Sequence, residues 1–322
     1  DGFPISYAWK DILKMVHTPL WMSHFGKSVF DNFIDTFSSS GSTTPQLRDP
    51  VLDRYHSDDS TSVLYHGVDL ETFKPLDEKI RKKVKSALGI KWEFCFHSVA
   101  RNTNRKQQPR LLQAFKQFLD RETVDSSKVG LLLHVGDATD SMGMGGWNLP
   151  LMIKQMGLEG NVAFTDPGTN PLYGLSPVEL ATTYAIADVH VLSTAGEGFG
   201  IPSAEAMACG RPIILPNNST GPELVGVDNP TQHEVIKGDR GWLVPCKAFL
   251  TGPKFGVSMG IVDIDMLEYA LFKAYCDEKS RDKLGKNARK WADIAKDMES
   301  LIRKSIADGH ALGDLSSMMT GE

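Results

Sequence analysis

The chain has 322 residues, of which 41% are hydrophobic and 23% charged, a balance that excludes a disordered or coiled-coil protein and leaves room for about two domains. A net charge of −5 argues against a general nucleic-acid binder. The four cysteines, Cys95, Cys209, Cys246 and Cys276, form no CxxC pair, so neither a zinc site nor a disulfide framework is expected and a reducing cytoplasmic setting fits. No apolar run approaches the roughly 18 residues of a membrane span, and the opening Asp1-Gly-Phe-Pro4 reads as an internal start with no signal-peptide pattern.

In chain order, residues 1 to about 37 carry Trp9, Ile12, Leu13, Val16, Trp21 and Phe25 at helical spacing with short extended pieces. Ser38 to Pro45 and His56 to Ser60 read as a flexible excursion, and Ser62 to Asp69 as a short strand ending in a glycine turn. A boundary falls near residue 76. From Asp77 to Leu88, Ile80, Val84 and Leu88 recur every four residues among lysines and arginines, which predicts an amphipathic basic helix with a solvated charged face. Peripheral contact with an anionic membrane surface is the functional alternative for that face.

Strands then alternate with helices. Phe94 to Ala100, Val129 to Val135, Asn161 to Thr165, Val189 to Leu192, Pro212 to Leu215 and Gly241 to Val244 read as buried strands, the last being the final one. Pro109 to Leu119, Leu149 to Met156, Pro177 to Ala187 and Pro202 to Cys209 read as the helices between them, with Asp263 to Asp277 and Ser280 to about Asp308 following. That alternation predicts an α/β protein with a Rossmann-like parallel sheet. Gly143-Met-Gly-Gly146 lies far past its strand and opens no helix, so it fails as a dinucleotide fingerprint and reads as a loose surface loop. A Rossmann dehydrogenase would need the fingerprint that is missing. Asp263-Ile-Asp265 precedes a helix and reads as a cap rather than a metal-binding DxD. His97 and His134 lie in apolar strands and read as satisfied core histidines, and His66 as structural.

Ligands of open parallel sheets bind where the strand-to-helix turns gather at the carboxyl ends. The turn after Phe94 to Ala100 offers Arg101, Asn102, Asn104, Arg105 and Lys106, and the turn after Val189 to Leu192 offers Glu197 to Gly200. The second opens a helix near Ile201 or Pro202, whose N–H groups beside Gly198, Phe199, Gly200 and Ile201 suit a phosphate. Cations from one turn and amides from the other would enclose a diphosphate, leaving Glu197 and Glu205 for sugar hydroxyls.

The pair Glu197-Gly-Phe-Gly-Ile-Pro-Ser-Ala-Glu205, followed by Ala206 to Gly210 and Arg211 to Ile214, resembles family 4 retaining glycosyltransferases of the GT-B fold. Arg101 with Lys106, Tyr184 to Asp188, Pro222 to Val225 and Gly241 to Val244 support the resemblance, which runs over roughly residues 60 to 300. It implies that Arg101 and Lys106 hold the donor diphosphate and stabilise it as leaving group, and that Glu197 contacts the donor sugar. It also implies that Gly198, Phe199 and Gly200 present backbone amides, that Glu205 binds the ribose, and that Thr165 and Asp166 lie near the nucleobase. No metal and no cofactor is expected, since two cations and a helix N-terminus already face the charge that develops on the diphosphate.

The same resemblance implies residues 1–75 as a remnant of the N-terminal acceptor-side domain and 76–285 as the nucleotide-sugar donor-binding domain. Residues 286–308 become a C-terminal crossover helix and 309–322 a flexible tail. Only about 75 residues precede the donor domain, too few for a complete first one, so a missing N-terminal domain or a companion chain is expected. Two functions follow: transfer of a sugar from a nucleotide diphosphate sugar to a saccharide, lipid or small-molecule acceptor, or donor binding without turnover.

Overall fold

The computed structural model describes residues 20–37, 62–63, 65–140, 143, 145–165, 174–251 and 258–307, with side chains at all of these except 20, 32–37, 62 and 294–307. The helical spacing expected before residue 20, the excursion at 38–60, the tail at 309–322 and Asp166 lie outside the described residues. The chain divides into two compact units, one of residues 68–249 and 260–293, the other of residues 1–67, 250–259 and 294–322. In the latter, β1 (Leu20–Trp21) pairs in parallel with β2 (Ser62–Val63), and α1 (His24–Phe37) sets Phe30 against Trp21 with ring centroids 4.7 Å apart.

The larger unit opens with α2 (Glu78–Ala87) and continues through β3 (Phe94–Val99), α3 (Gln108–Leu119), β4 (Val129–His134), α4 (Leu149–Gln155) and β5 (Val162–Phe164). Then come α5 (Pro177–Ile186), β6 (Val189–Val191), α6 (Ile201–Ala208), β7 (Ile213–Pro216), α7 (Gly221–Val225), β8 (Ile236–Lys237) and β9 (Gly241–Val244). The last elements are β10 (Cys246–Thr251), β11 (Ser258–Val262), α8 (Ile264–Cys276) and α9 (Glu278–Ala307).

Seven strands form one sheet in the order β5-β4-β3-β6-β7-β9-β8, every neighbouring pair parallel except β8 with β9. The chain builds outward from β3 to β5, then returns to place β6 on the other side of β3. Between β3 and β6 the winding therefore reverses, the point of such a sheet at which ligands bind at the carboxyl ends of the strands.

Both sheet faces are covered, which is why the strands read as continuous apolar runs. On one face Phe96, Leu131 and Leu133 pack with Leu111, Phe115 and Phe118 of α3 and Leu267 and Leu271 of α8. On the other, Leu192 and Leu215 pack with Tyr184 of α5, Met207 of α6 and Ala288 of α9. Each such fully buried Phe or Leu contributes about 1.5–3 kcal/mol. Local signals agree with the packing: Ser176 and Glu179 form a capping box on α5, and Asp263 accepts from Asp265 N and Met266 N as the cap of α8.

Four expectations need correction. Gly241 to Val244 is not the last strand, because β10 and β11 form a further two-stranded sheet before α8. The described residues of the loop after β4 are tied down: Asn102 Nδ2 donates to Asp137 O (3.0 Å) and Trp147 O (2.7 Å), Asn102 Oδ1 accepts from Trp147 N, and Asn104 N donates to Gly145 O. His97 is buried as expected, yet neither ring nitrogen finds a partner among the described residues, and the ring packs edge-on against Tyr184 at 4.8 Å. His134 does bond, Nδ1 to Thr165 Oγ1, at 2.8 Å.

The fourth concerns α2, which buries Arg81 and Lys85 and leaves Ile80 (50%) and Leu88 (57%) exposed. The cause is Asp188, just ahead of β6. Arg81 NH2 donates to Asp188 Oδ1 (2.6 Å) while its Nε and NH2 bond Ile186 O, Lys85 Nζ lies 3.5 Å from Asp188 Oδ2, and Cys95 N donates to that same oxygen (2.7 Å). Pairing with the half-buried Asp188 outweighs the apolar spacing of Ile80, Val84 and Leu88.

Candidate functional site at the carboxyl edge

The turns after β3 and β6 meet at the crevice. Past β3 the chain makes a single helical turn, Asn104–Lys106, and leaves it through Gln107 in the left-handed region (φ 50°). Two neighbours fix that turn: Ser193 Oγ donates to the carbonyls of Lys106 and Gln107, and Gln108 Nε2 donates to Arg101 O at 2.8 Å. The two turns are also tied directly, since Ala195 N donates to Arg105 O at 2.7 Å. On the far side Gly260 N donates to Ala195 O and Gln107 Nε2 to Gly260 O, so the start of the β11 segment braces both turns.

This scaffold sets Lys106 Nζ 2.5 Å from Glu197 Oε1 and Arg105 NH1 3.2 Å from Glu197 Oε2. The guanidinium of Arg105 also donates to Gly196 O and approaches Thr194 Oγ1. Burial opposes the charge on Glu197, but Lys106 and Arg105 overcome it and hold the carboxyl below its ordinary range. Burial lowers the Lys106 ammonium from its ordinary value despite the opposing carboxylate. Glu197 N donates to Ser219 Oγ (2.9 Å), and Ser219 is itself a left-handed residue (φ 42°) at the end of β7. A strained non-glycine backbone at such an edge is where functional geometry is usually found.

Beyond Glu197, Phe199 is buried and stacks on Trp291, and Gly200 caps α6 at φ 98°. A side chain is strained at that φ, and a Cβ would stand 2.9 Å from Leu224 Cδ1. Gly200 offers α6 no side-chain cap, Pro202 has no N–H, and Ser203 N and Ala204 N both donate to Gly200 O (2.9 and 3.2 Å), which closes the first turn on the backbone. One turn further, Glu205 Oε2 accepts from the Tyr184 hydroxyl at 2.7 Å. Burial raises the Glu205 carboxyl above its ordinary value, and the Tyr184 bond offsets part of that rise.

Of the residues expected from sequence, Lys106, Glu197, Gly198, Phe199, Gly200, Ile201 and Glu205 lie on this one edge. Arg101 opens the same turn, but its side chain is exposed and its guanidinium makes no ion pair or hydrogen bond among the described residues, its charge pressing on Lys106. The cation that pairs with Glu197 beside Lys106 is Arg105. Thr165 ends β5 two strands away, bonded to Leu133 O and His134. Tyr184 and Ser219 were not expected to act here. The polar run Asn217 to Thr220 behind an apolar strand was the available signal for Ser219, and nothing local announced the Tyr184 contact.

The model of Glycosyl transferases group 1 matches residues 80–247, and the chain belongs to that family. The fold is that of the GT-B glycosyltransferases. The sucrose-phosphate synthase of Thermosynechococcus elongatus superposes with a TM-score of 0.61 at 21% identity over 93% of this chain and 61% of its own. Anabaena HepE in complex with UDP-glucose gives a TM-score of 0.60 at 18% identity over 91% and 64%. In sequence, the chain is 28% identical to the D-inositol 3-phosphate glycosyltransferase of Paenarthrobacter aurescens over 54% of this chain and 39% of that protein. It is likewise 28% identical to the MMP alpha-(1->4)-mannosyltransferase of Mycolicibacterium hassiacum over 42% and 28%. The chain thus spans about two fifths of the length of the first of these relatives.

Proposed function

We propose that the chain carries the donor half of a retaining glycosyltransferase, moving a sugar from a nucleotide diphosphate sugar to a saccharide, lipid or small-molecule acceptor. The observation that carries this reading is the contact of Lys106 with Glu197 across the crevice between β3 and β6, 2.5 Å long, beside the start of α6. The lysine neutralises the glutamate. A bound diphosphate takes over Lys106 and meets Arg105, Arg101 and the amides at the start of α6, freeing Glu197 to accept from sugar hydroxyls. Glu205, one oxygen already fixed by Tyr184, offers the other to the ribose.

Breaking the bond between the anomeric carbon and the phosphate oxygen leaves negative charge on the diphosphate and positive character on the carbon. Preorganised cations aimed at that oxygen lower the barrier, and side-chain cations do this in place of a metal ion. The acceptor oxygen attacks from the face the diphosphate leaves and gives its proton to the departing phosphate oxygen, which retains the anomeric configuration. A nucleotide-sugar donor fits the neighbour bound to UDP-glucose, and the buried Cys95, Cys209 and Cys246, all free thiols, fit a cytoplasmic setting.

Incubation with a panel of nucleotide diphosphate sugars and acceptors tests the reading. Release of nucleoside diphosphate with a product of unchanged anomeric configuration by NMR, insensitive to a chelator, is expected. Inversion would sink retention, a chelator-sensitive rate would sink metal independence, and binding without transfer or hydrolysis would identify a donor-binding unit without turnover.

A further inference from the structure

A second charged cleft lies at the opposite, amino-terminal edge of the same sheet, with a volume of about 790 Å³. We propose that this cleft binds a phosphate group, with Arg211 as its principal ligand. Six cations line it, Arg81, Lys128, Arg211, Arg281, Lys286 and Arg289, against five acids. Three of those acids are already engaged: Asp188 by Arg81 and Cys95 N, Glu78 by Arg81 at 3.3 Å, and Glu93 by Lys128 at 3.2 Å. The other two, Glu278 and Asp282, are exposed on the first turns of α9.

The cations are engaged differently. Arg281 donates to the neutral carbonyls of Ala274 and Tyr275 and lies over the Phe94 ring at 4.9 Å, so it is held in place without a hydrogen-bonded acid among the described residues, Asp277 acting on it only through space. Arg289 is fixed by Phe73 O and Ala208 O, with Asp293 3.2 Å from its NH2. Arg211 is the incomplete one. Its Nε donates to Cys209 O at 3.1 Å, and its two terminal nitrogens have no hydrogen-bond or ion-pair partner among the described residues. Burial, together with the adjacent Arg81, lowers the Arg211 guanidinium from its ordinary value, although Asp188 and Glu78 pull the other way. A half-buried guanidinium with four unfilled N–H donors presents the fork that phosphate oxygens fill in pairs.

The phosphate could belong to a soluble phosphorylated molecule or to a phospholipid headgroup. The exposed face of α2 beside the cleft, Lys79, Lys82 and Lys83 with half-exposed Ile80, would suit either. The cleft is separate from the crevice at the other edge, so the test uses a Lys106→Ala background that weakens phosphate binding there. Calorimetric titration with inorganic phosphate at low ionic strength should detect binding in that background. Adding Arg211→Gln should weaken it at least tenfold, and adding the exposed Lys286→Gln about threefold, with acetate binding more weakly throughout. Unchanged affinity in both variants, or no phosphate binding in the Lys106→Ala chain, would overturn the proposal. Lys286→Gln keeps it testable should Arg211→Gln fail to fold. Arg211-dependent binding to phosphatidylglycerol but not phosphatidylcholine vesicles would place the phosphate on a lipid, and phosphate binding without vesicle binding would place it on a soluble molecule.

Discussion

The two edges of the sheet hold nearly the same charge arrangement, two cations on one carboxylate, and use it differently. At the amino edge Arg81 and Lys85 close on Asp188, and backbone groups fill what remains: Ile186 O takes two guanidinium bonds, Glu93 O one ammonium bond, and Cys95 N caps the free carboxylate oxygen. At the carboxyl edge Lys106 and Arg105 close on Glu197, but the turn bearing Glu197 is rich in glycine and opens onto an uncapped helix start. The first cluster has no vacancy and acts as a rivet between α2 and the strands. Under the proposed function the second gives way to a diphosphate. An ion pair is therefore structural or functional according to what surrounds it rather than what composes it.

The largest expected effect separates the two clusters by kind. Lys106→Ala should lower the transfer rate by roughly a hundred- to a thousandfold, on the order of 2.7–4 kcal/mol in the barrier, with little change in melting temperature. A large thermal loss instead would make this cluster structural too. Asp188→Asn should do the reverse, leaving Arg81 and Lys85 facing a neutral amide. Its expected cost is about 3 kcal/mol of stability, read by denaturant unfolding, and equal stability would show that the carbonyls suffice. Tyr184→Phe removes the bond to Glu205 and should weaken nucleoside diphosphate binding about tenfold, roughly 1–1.5 kcal/mol, while leaving pyrophosphate binding unchanged. Equal losses for both ligands would remove Glu205 from the ribose.

The smallest effect is in pH dependence. Because Glu197 is held below its ordinary range, its ionised form contributes stability that is present above about pH 4.3, the unfolded value, and is lost as pH falls through the depressed folded value. The stability gap between the native chain and Glu197→Gln should accordingly be open at neutral pH and close in acid. A gap that persists at pH 2 would mean that the carboxylate charge is not what holds Lys106 and Arg105.

The carboxyl edge was legible in the sequence because its parts are local. Each turn follows its strand directly, and Glu197, Gly200 and Glu205 are spaced by the helix they open. The amino edge was not. Ile80, Val84 and Leu88 predicted which face α2 buries, but Asp188, more than a hundred residues later, decided otherwise through Arg81 and Lys85. The same limit hid the Tyr184 contact with Glu205, which depends on how α5 and α6 lie beside one another. Arg105 reads in the sequence as one cation among several, and its contact with Glu197 follows only from the turn geometry. The β10–β11 sheet went unread because Lys247, Phe249 and Leu250 are exposed and carry no buried periodicity.

The seat of α9 turns on what is missing from one residue. A Cβ on Gly285 would stand 2.4 Å from Gly210 O, so α9 rests backbone to backbone on the segment that leads to Arg211. That contact fixes the distance between the wall carrying Arg281, Lys286 and Arg289 and the wall carrying Arg211. One methyl group at position 285 would pry the walls apart without touching a single charge, changing the span across which an anion must reach. The span of the cleft is thus set by a hydrogen atom on a residue four places along the chain from both Arg281 and Arg289.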